Sequence, residues 1–417
     1  MKTTISIAVL LLALFTTIFT ESNLLAASNA GRNFTVCFPK NFLNNDDAES
    51  KYAQLWLYIA AADTMSSKGN IYFYQNNKKE TITFTVEKDS MIVIEIPKNL
   101  EILSDSIIEK KSISIVSDFN ITVFGLSYDY ATSDGFMAMP DIALDTSYIV
   151  ASFGSKAVTG PNANLLYRYS GGVVIAALED NTIVHVKSPA KFKNPVSEPY
   201  QDVTLFLNAG ETRYLRAVDT LLMDVTGTII HANKKISVFS THQRVSIPNN
   251  TNGLTTNVLI EQTQPISILG NSIICTPHKS PSSKLKTLIR IIVPFDSTFI
   301  KVKNTVELLN AGTFKELFII DTAEIIETSK PVLVAQYEQS SFINSKNEKI
   351  GDPFLLFVPP IQQFITSCTF ISPPIEQFTE HWVNIIIHKE SIHSFRLDNF
   401  KYPDSIFQSV NGTQYVF

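Results

Sequence analysis

The residues best suited to chemistry lie near the middle of the chain, where Asp224 is followed by Ser240 and His242. Serine, histidine and aspartate can form a hydrolase relay, in which the histidine takes the proton of the serine hydroxyl. A relay is not favoured here, because no neighbouring sequence marks the backbone donors that would stabilise an oxyanion. His242 ends an alternating strand and is interpreted as a buried or turn-stabilising histidine.

Other catalytic and metal-binding patterns are missing from the sequence, which contains no GxSxG, HExxH, GxxxxGK[ST] or GxGxxG motif. His388 and His393 are interpreted as surface residues of a hairpin. Asp180, Asp296 and Asp352 stand in turn-like contexts, which predicts that their side chains cap turns. We therefore expect no catalytic residue, no cofactor and no metal, since Ca²⁺ needs a denser set of oxygen ligands.

The sequence offers a few sites for covalent modification. Its three cysteines are too few for a disulfide-dense scaffold, and they are interpreted either as buried small hydrophobic residues or as one disulfide and one thiol, with the pairing open. The sequence contains no CxxC motif, so structural zinc is not predicted. The possible disulfide members are Cys37, Cys275 and Cys368. The candidate N-glycosylation sites, each in an Asn-x-Ser/Thr sequon, are Asn33, Asn120, Asn249 and Asn411.

The N-terminus predicts the compartment. Lys2 precedes an apolar run from Ile5 to Phe19, and small residues follow up to Ala30, which is typical of a secretory signal peptide. A signal anchor is the alternative, although the run is short for a membrane span, and no later segment is predicted to cross a membrane. The formal net charge of −5 excludes a strong basic field, so nucleic acid is not expected as a partner.

The elements that must position these residues are strands, because Phe, Tyr, Ile, Val and Thr are abundant and helical periodicity is scarce. A set of segments recurs along the chain: an alternating strand, a strand ending in a Gly turn, and two strands joined by a polar turn such as Asn-Lys-Lys. Two copies share the sequence Leu-Asn-Ala-Gly. Aligning Ile121, Ile236 and Val332 brings three copies into register. The spacing is that of small β-domains.

The predicted fold is therefore all-β, with tandem antiparallel β-sandwich-like modules, three of them complete and a fourth truncated. The unfinished module would leave Ile385, Ile387 and Phe395 partly uncovered, which predicts either a longer parent sequence or self-association through the C-terminal segment. The predicted divisions are a signal peptide (1–30), three modules (31–140, 141–245 and 246–345), and a linker with the start of the fourth module (346–417).

Several short segments in a fixed order also carry a family resemblance. They include EDNTIVHV, DVTGTIIHANKKISVFSTH, SKPVLVAQY, GDPFLLFVPPIQQF and VNIIIH. Together they resemble the N-terminal domain of the IgG Fc-binding protein over roughly residues 125–417. The resemblance implies an extracellular, mucus- or matrix-associated module with no assigned enzymatic activity. It does not extend to a cysteine pair near residues 243–257, and IgG binding is not inferred from the family name.

These observations predict a secreted, non-catalytic binding or adhesive protein that recognises an extracellular protein or glycan through loops on rigid β-modules. The candidate loops are residues 188–199, 246–256 and 344–352. The alternative is a structural component of an extracellular matrix, mucus or surface coat, assembled through exposed strand edges. A secreted hydrolase is the more remote alternative.

Overall fold

The computed structural model describes residues 29–417 except 42–52, 130–131, 160–165, 221–222, 249–254, 279–285, 320, 341, 344–348, 376–377 and 379. Strands dominate, so the predicted all-β class is confirmed. The predicted signal peptide lies outside the described residues, apart from its last two positions. The helical segments of the described residues are short 3₁₀ helices: Lys98–Leu100, Asp141–Ala143, Ile266–Ile268, Ile361–Gln363, Lys389–Ser394 and Asp404–Ile406.

The first sheet has the strand order β5-β4-β9-β3-β6, and β1 and β10 also pair with β9. A short parallel pair, β2 with β7, lies beside it. The strands are β1 (Gly31–Val36), β2 (Phe38–Pro39), β3 (Gln54–Ala61), β4 (Ser67–Gln75), β5 (Lys78–Val86), β6 (Met91–Ile96), β7 (Glu101–Ile102), β8 (Ile108–Glu109), β9 (Ile113–Asp129) and β10 (Thr132–Met137).

The second sheet has the order β16-β15-β18-β14-β17-β8, and β11 and β19 also pair with β18. Its last strand, β8, therefore comes from the stretch before β9. The strands are β11 (Asp145–Ile149), β12 (Lys156–Thr159), β13 (Leu166–Tyr169), β14 (Gly171–Ala177), β15 (Thr182–Lys187), β16 (Asp202–Leu207), β17 (Thr212–Arg216), β18 (Ile229–Val245) and β19 (Asn257–Gln262).

The third sheet has the order β23-β22-β25-β21-β24, and β20 and β28 also pair with β25. Its strands and the short pairs that follow are β20 (Gly270–Cys275), β21 (Thr287–Ile292), β22 (Thr298–Val302), β23 (Thr305–Leu309), β24 (Phe314–Ile319), β25 (Glu324–Tyr337), β26 (Phe342–Ile343), β27 (Lys349–Ile350), β28 (Leu355–Phe357), β29 (Ile387–His388) and β30 (Tyr415–Val416).

The three sheets repeat one topology. Ile121, Ile236 and Val332 each pair with the first residue of an edge strand, β1, β11 and β20 respectively, and a register shift follows in each case. The alignment of the three copies is therefore confirmed at the level of strand register. The module boundaries remain predictions about folding units. Strand pairing crosses two of them, because β8 joins the second sheet and β19, which follows residue 245, pairs with β18.

The polar segments that were expected to be hairpin turns lie instead within single long strands, so this expectation was wrong. In β18, residues 232–235 bulge out between two ladders: the part before them pairs with β11 and β15, and the part after them pairs mainly with β14 and β19. Residues 117–120 of β9 and 328–331 of β25 occupy the same position. The polar pattern marked an irregularity correctly, but a bulge bends a strand without reversing it.

The bend folds each sheet over an apolar core. In the first sheet, Ile71 and Phe84 from one half pack in the same cluster as Leu57 and Ile59 from the other half. This gives the expected sandwich-like arrangement. The cores also continue between modules: Phe239 of β18 lies in the first cluster, 4.9 Å from Phe136 between ring centroids. Strands β14 and β21 are buried along their whole length because both of their faces are covered.

The shared Leu-Asn-Ala-Gly segment forms the turn between the fourth and fifth repeated strands, and it contacts the preceding module. Gly312 of the third module lies against Gly227 of the second, where a Cβ atom on Gly227 would come within 2.0 Å of the Gly312 carbonyl oxygen. Both residues have positive φ, which favours glycine. Asp180 and Asp296 cap these turns by accepting from the backbone N–H groups of Ala209 and Ala311, both at 3.0 Å, whereas the sequence predicted that each would cap the turn in which it stands.

The stretch 383–400, which was expected to begin a fourth module, contains only the two-residue strand β29 and a 3₁₀ helix. Its apolar side chains pack on other modules: Ile386 lies in a cluster with Ile274 of the third sheet. The alternating sequence was mistaken for paired strands because apolar residues that pack on a neighbouring surface give a similar pattern.

The repeat predicts that valines at equivalent buried positions contribute similarly to stability. Val238 and Val334 pair with Ile175 and Ile291 and are almost fully buried. Substituting either valine with alanine should lower the free energy of unfolding by about 1 to 3 kcal/mol. Val306→Ala, on an exposed edge strand, is the matched control and should cost less than about 0.5 kcal/mol. Urea unfolding measures all three, and a neutral result at both core positions would contradict the register.

Candidate binding loops and buried polar clusters

The described ends of two of the three candidate loops, 246–256 and 344–352, are joined by hydrogen bonds beside the third module. Ser340 leads into the second loop, and its backbone N–H donates to the carbonyl of Ile247, while the Ile247 N–H donates to the Ser340 hydroxyl at 2.9 Å. Thr255 Oγ1 donates to the Gly351 carbonyl at 3.4 Å. The described ends of both loops are thus bonded to each other.

Asn257 fixes the base of these loops to the first module. Its Oδ1 accepts from the Thr132 hydroxyl at 2.8 Å and from the Ser133 N–H at 2.9 Å. Its Nδ2 donates to the carbonyls of Ser133 and Pro353 at 2.8 and 2.9 Å. Asn257 is only 3% exposed, so one buried amide uses its full hydrogen-bonding capacity to join chain segments that precede and follow the loops.

The described ends of a third loop lie beside the same residues. His278 and Lys286 flank it: His278 Nδ1 lies 2.9 Å from Glu338 Oε2, and the Lys286 N–H donates to Gln339. The imidazole also packs on Phe354, with centroids 4.6 Å apart. A histidine followed by a Ser-Pro-rich turn was the available signal. We call residues 246–256, 278–286 and 340–352 the loop cluster.

The remaining candidate loop, 188–199, makes its described contacts elsewhere. Asn194 Nδ2 donates to Asp105 of the first module at 3.1 Å, and Phe192 is fully buried. Asp105 also forms an ion pair with Arg216 at 2.8 Å. Val196 at the outside of the loop is 80% exposed. This loop therefore covers the junction of the first two modules and lies apart from the contacts that define the loop cluster.

A buried ion network joins the second and third modules. Arg290 of β21 is 4% exposed, and its NH1 donates to Asp224 Oδ2, to the Thr226 hydroxyl and to the Ser152 carbonyl, each at 2.8 Å. Its Nε donates to Glu316 at 2.8 Å.

Aromatic rings enclose the same guanidinium. Its central carbon lies 4.2 Å from the Phe153 centroid and 4.4 Å from the Phe314 centroid. The Tyr337 hydroxyl donates to the Ser152 carbonyl at 2.8 Å. Burial alone would lower the pKa of Arg290, but Asp224, Tyr337 and Glu316 outweigh it and raise the pKa. Asp224, first considered as part of a catalytic relay, therefore serves as the counter-ion of Arg290.

Ser240 and His242, the other two residues considered for a catalytic relay, have different hydrogen-bond partners. Ser240 Oγ lies 2.8 Å from the Thr263 hydroxyl, whereas His242 Nδ1 accepts from the Arg244 N–H at 3.1 Å. Burial lowers the pKa of His242 to about 4, although Asp224 raises it. His242 is neutral and buried, which agrees with the structural interpretation of this residue.

The candidate modification sites occupy different environments. Cys37 and Cys275 are free and buried in separate core clusters, where burial raises the pKa of each thiol, and Cys368 is free and exposed. Asn33 and Asn411 are exposed. The remaining two sequons differ: Asn120 Nδ2 donates to Asp63 at 3.3 Å, and Asn249 lies outside the described residues.

The part of the chain that the structure describes holds neither a metal-binding cluster nor a membrane-spanning helix. There, no group of three or more His, Cys, Asp and Glu side chains is arranged to hold a metal ion. His393 instead pairs with Asp404 at 2.9 Å, and His388 lies near Glu390. Within the same described ranges, no helix has the length and apolar character needed to cross a membrane.

The fold and the loop cluster together define a multi-module β-protein that holds several loops on a rigid, shared base. A family model described as IgGFc binding protein matches residues 134–417. The chain belongs to this family, as the resemblance predicted, and membership indicates an extracellular binding protein. The match begins within β10 and includes the second and third modules and the C-terminal segment. No curated protein and no solved structure is significantly similar to the chain.

The Arg290 network predicts a large loss of stability when its cation is removed. Arg290→Met keeps much of the apolar contact with the rings but leaves the partly buried Asp224 without its counter-ion. The free energy of unfolding should therefore fall by roughly 2 to 4 kcal/mol, somewhat less than for a fully buried pair. Lys301→Met is the control, because its ion pair with Glu327 is exposed and should contribute less than about 1 kcal/mol. Urea unfolding distinguishes them, and equal effects would show that the network contributes little.

The lowered pKa of His242 predicts acid sensitivity. The unfolded chain takes up a proton near pH 6.5 but the folded chain only near pH 4, so stability is lost as the pH falls through this window. The contribution is on the order of 3 kcal/mol. His242→Asn keeps an acceptor near Nδ1 and removes the titration. The difference in unfolding free energy between wild type and variant should change between pH 6.5 and 4; parallel profiles would contradict this account.

Proposed function

We propose that the protein is secreted and non-catalytic, and that it binds an extracellular protein or glycan through the loop cluster. The observation that carries the proposal is that the described ends of three loops meet on one base, which is fixed by Asn257 and by the His278–Glu338 pair. Rigidly held loop ends reduce the conformational entropy that binding must overcome. Family membership supports the extracellular binding role, and the identity of the ligand follows from experiment rather than from the family name.

The non-catalytic part of the proposal is supported by how the polar side chains are used. Asp224 neutralises a buried arginine, and His242 accepts a backbone hydrogen bond within the core. A general base must be within reach of a substrate proton, whereas His242 has no exposed surface.

Secretion is further supported by the sequons. We propose that Asn33 and Asn411, whose side chains are exposed, carry N-linked glycans in the mature protein. The Asn120 amide is engaged with Asp63 and must leave that contact to be modified.

A second candidate function is structural assembly in an extracellular matrix, mucus or surface coat. It is favoured by an apolar patch on the outward face of β22 and the edge strand β23, where Phe299, Val306 and Leu308 are 52%, 61% and 53% exposed. Phe299 pairs directly with Leu308 across the two strands. Exposed apolar side chains on a sheet edge are suited to contact with another chain.

Charge reversal at the loop cluster tests the binding proposal. The double variant Lys286→Glu/Asp352→Lys changes two exposed residues of the cluster. The matched control, Lys68→Glu/Asp118→Lys, makes the same change on the first module. Extracellular proteins and a glycan array are probed with the mature chain, and the captured ligand is titrated against each variant. We expect the cluster variant alone to weaken binding by about tenfold or more. Equal affinity of both variants would contradict the proposed surface.

A further inference from the structure

The C-terminal segment crosses the outer face of the first sheet. We call residues 365–386 the strap. Ile371, Ile375 and Phe378 of the strap pack on side chains of β3, β6 and β9 that point away from the main core. Ile375 is 9% exposed and lies deepest of these three. The strap therefore buries a sheet face that would otherwise contact water.

The surface beneath the strap is aromatic. Trp56 stacks on Tyr128 with centroids 5.3 Å apart, and Tyr58 packs against Phe124 at 6.2 Å. Leu126 lies in the same cluster. We call these five residues the aromatic face. Large planar side chains offer much apolar area at a low cost in conformational entropy, and such surfaces bind extended peptides well.

Side-chain packing rather than strand pairing holds the strap. Among its described residues there is no strand, so the strap adds no ladder of backbone hydrogen bonds to the first sheet. Beyond the aromatic face, Asn384 Nδ2 donates to Thr276 Oγ1 at 3.0 Å. The strap is thus a peptide seated on a surface and bonded to the third module near its C-terminal end.

The parts of the strap that flank its buried residues expose further apolar side chains. Phe370 and Ile365 are 43% and 40% exposed on one side, and Trp382 and Val383 are 62% and 45% exposed on the other. Four exposed apolar residues close in sequence are more than scattered surface hydrophobics, and a second polypeptide would cover them.

We propose that the strap exchanges between two copies of this chain, so that residues 371–378 of each copy occupy the aromatic face of the other. The contacts within the strap site are the same in the monomer and the exchanged dimer, which makes exchange inexpensive in free energy. The dimer gains the burial of the exposed flanks, and the loss of translational freedom makes its formation dependent on concentration. This proposal is independent of ligand binding by the loop cluster.

Complementary variants test exchange directly. Ile375→Asp disables the strap but leaves the aromatic face intact, whereas Trp56→Glu disables the aromatic face but leaves the strap intact. Neither variant can form the contact on its own. In a mixture, the intact strap of the Trp56→Glu variant can occupy the intact aromatic face of the Ile375→Asp variant, which gives one intact contact per dimer. Ile406→Asp and Val116→Glu are controls at exposed apolar positions outside the contact. Sedimentation of the mature chains gives the oligomeric state.

We expect dimers in the mixture at concentrations about tenfold lower than for either variant alone, and unchanged association of both controls. A mixture that stays monomeric, or single variants that associate as strongly as the mixture, would overturn the proposal. Thermal melting checks that each variant folds, and Ile371→Asp with Tyr128→Asp replaces the pair if either does not.

Exchange can also be followed in the wild-type chain. Cys368 is exposed close to the strap's buried residues, whereas Cys37 and Cys275 are buried, so a maleimide dye labels Cys368 selectively. Energy transfer should appear when donor- and acceptor-labelled proteins are mixed, and Ile375→Asp should abolish it. Transfer that survives in Ile375→Asp would assign the association to another surface.

Discussion

Each module depends on one long strand that belongs to two half-sheets at once. β9, β18 and β25 pair with one set of strands before a four-residue bulge and with another set after it. A strand cannot change partners in this way while remaining straight, so the bulge bends it and folds the sheet over its own apolar face. The polar character of residues 232–235 follows from this geometry, because bulged residues leave the ladder. Asn233 then compensates locally by accepting from the Ile183 N–H at 2.8 Å.

The same constraint determines how modules meet. A sheet folded over itself still exposes outer faces, and here neighbouring modules cover them, so Val173 and Val174 face different core clusters. Close approach needs small residues where backbones touch, which explains the Gly227–Gly312 contact. The close packing of modules also buries polar atoms. Arg290 donates hydrogen bonds to several of these buried oxygens at once. The buried charge is tolerated because carboxylate, hydroxyl and carbonyl oxygens surround it.

The repeat and the alignment of its three copies were predictable, because they depend on local alternation and turn chemistry. The turn that Asp180 caps was not predictable, since its partner Ala209 is 29 residues away. The bulges were not, since Asn-Lys-Lys favours a turn and a bulge equally in one sequence. The loop cluster could be predicted only in part, because its contacts join residues far apart in the sequence. The carboxylate partner of His278 is 60 residues away, and Asn257 bonds to Thr132. The position of the strap was not predicted, because the surface that Ile371 and Ile375 cover belongs to β3 and β9, far away in sequence.

The family match begins at residue 134, yet the structure does not divide there. Phe38, which precedes the matched range, packs on Phe136 with ring centroids 5.6 Å apart, in a core that also contains Phe239. Thr132 bonds the amide at the base of the loop cluster. Its outer face also seats the strap, which lies within the matched range. Residues 134–417 therefore rely on preceding residues for both a covered core and a fixed loop base. The first module is best regarded as a structural partner of the family region, because it supplies both apolar packing and the hydrogen bonds at the described loop ends.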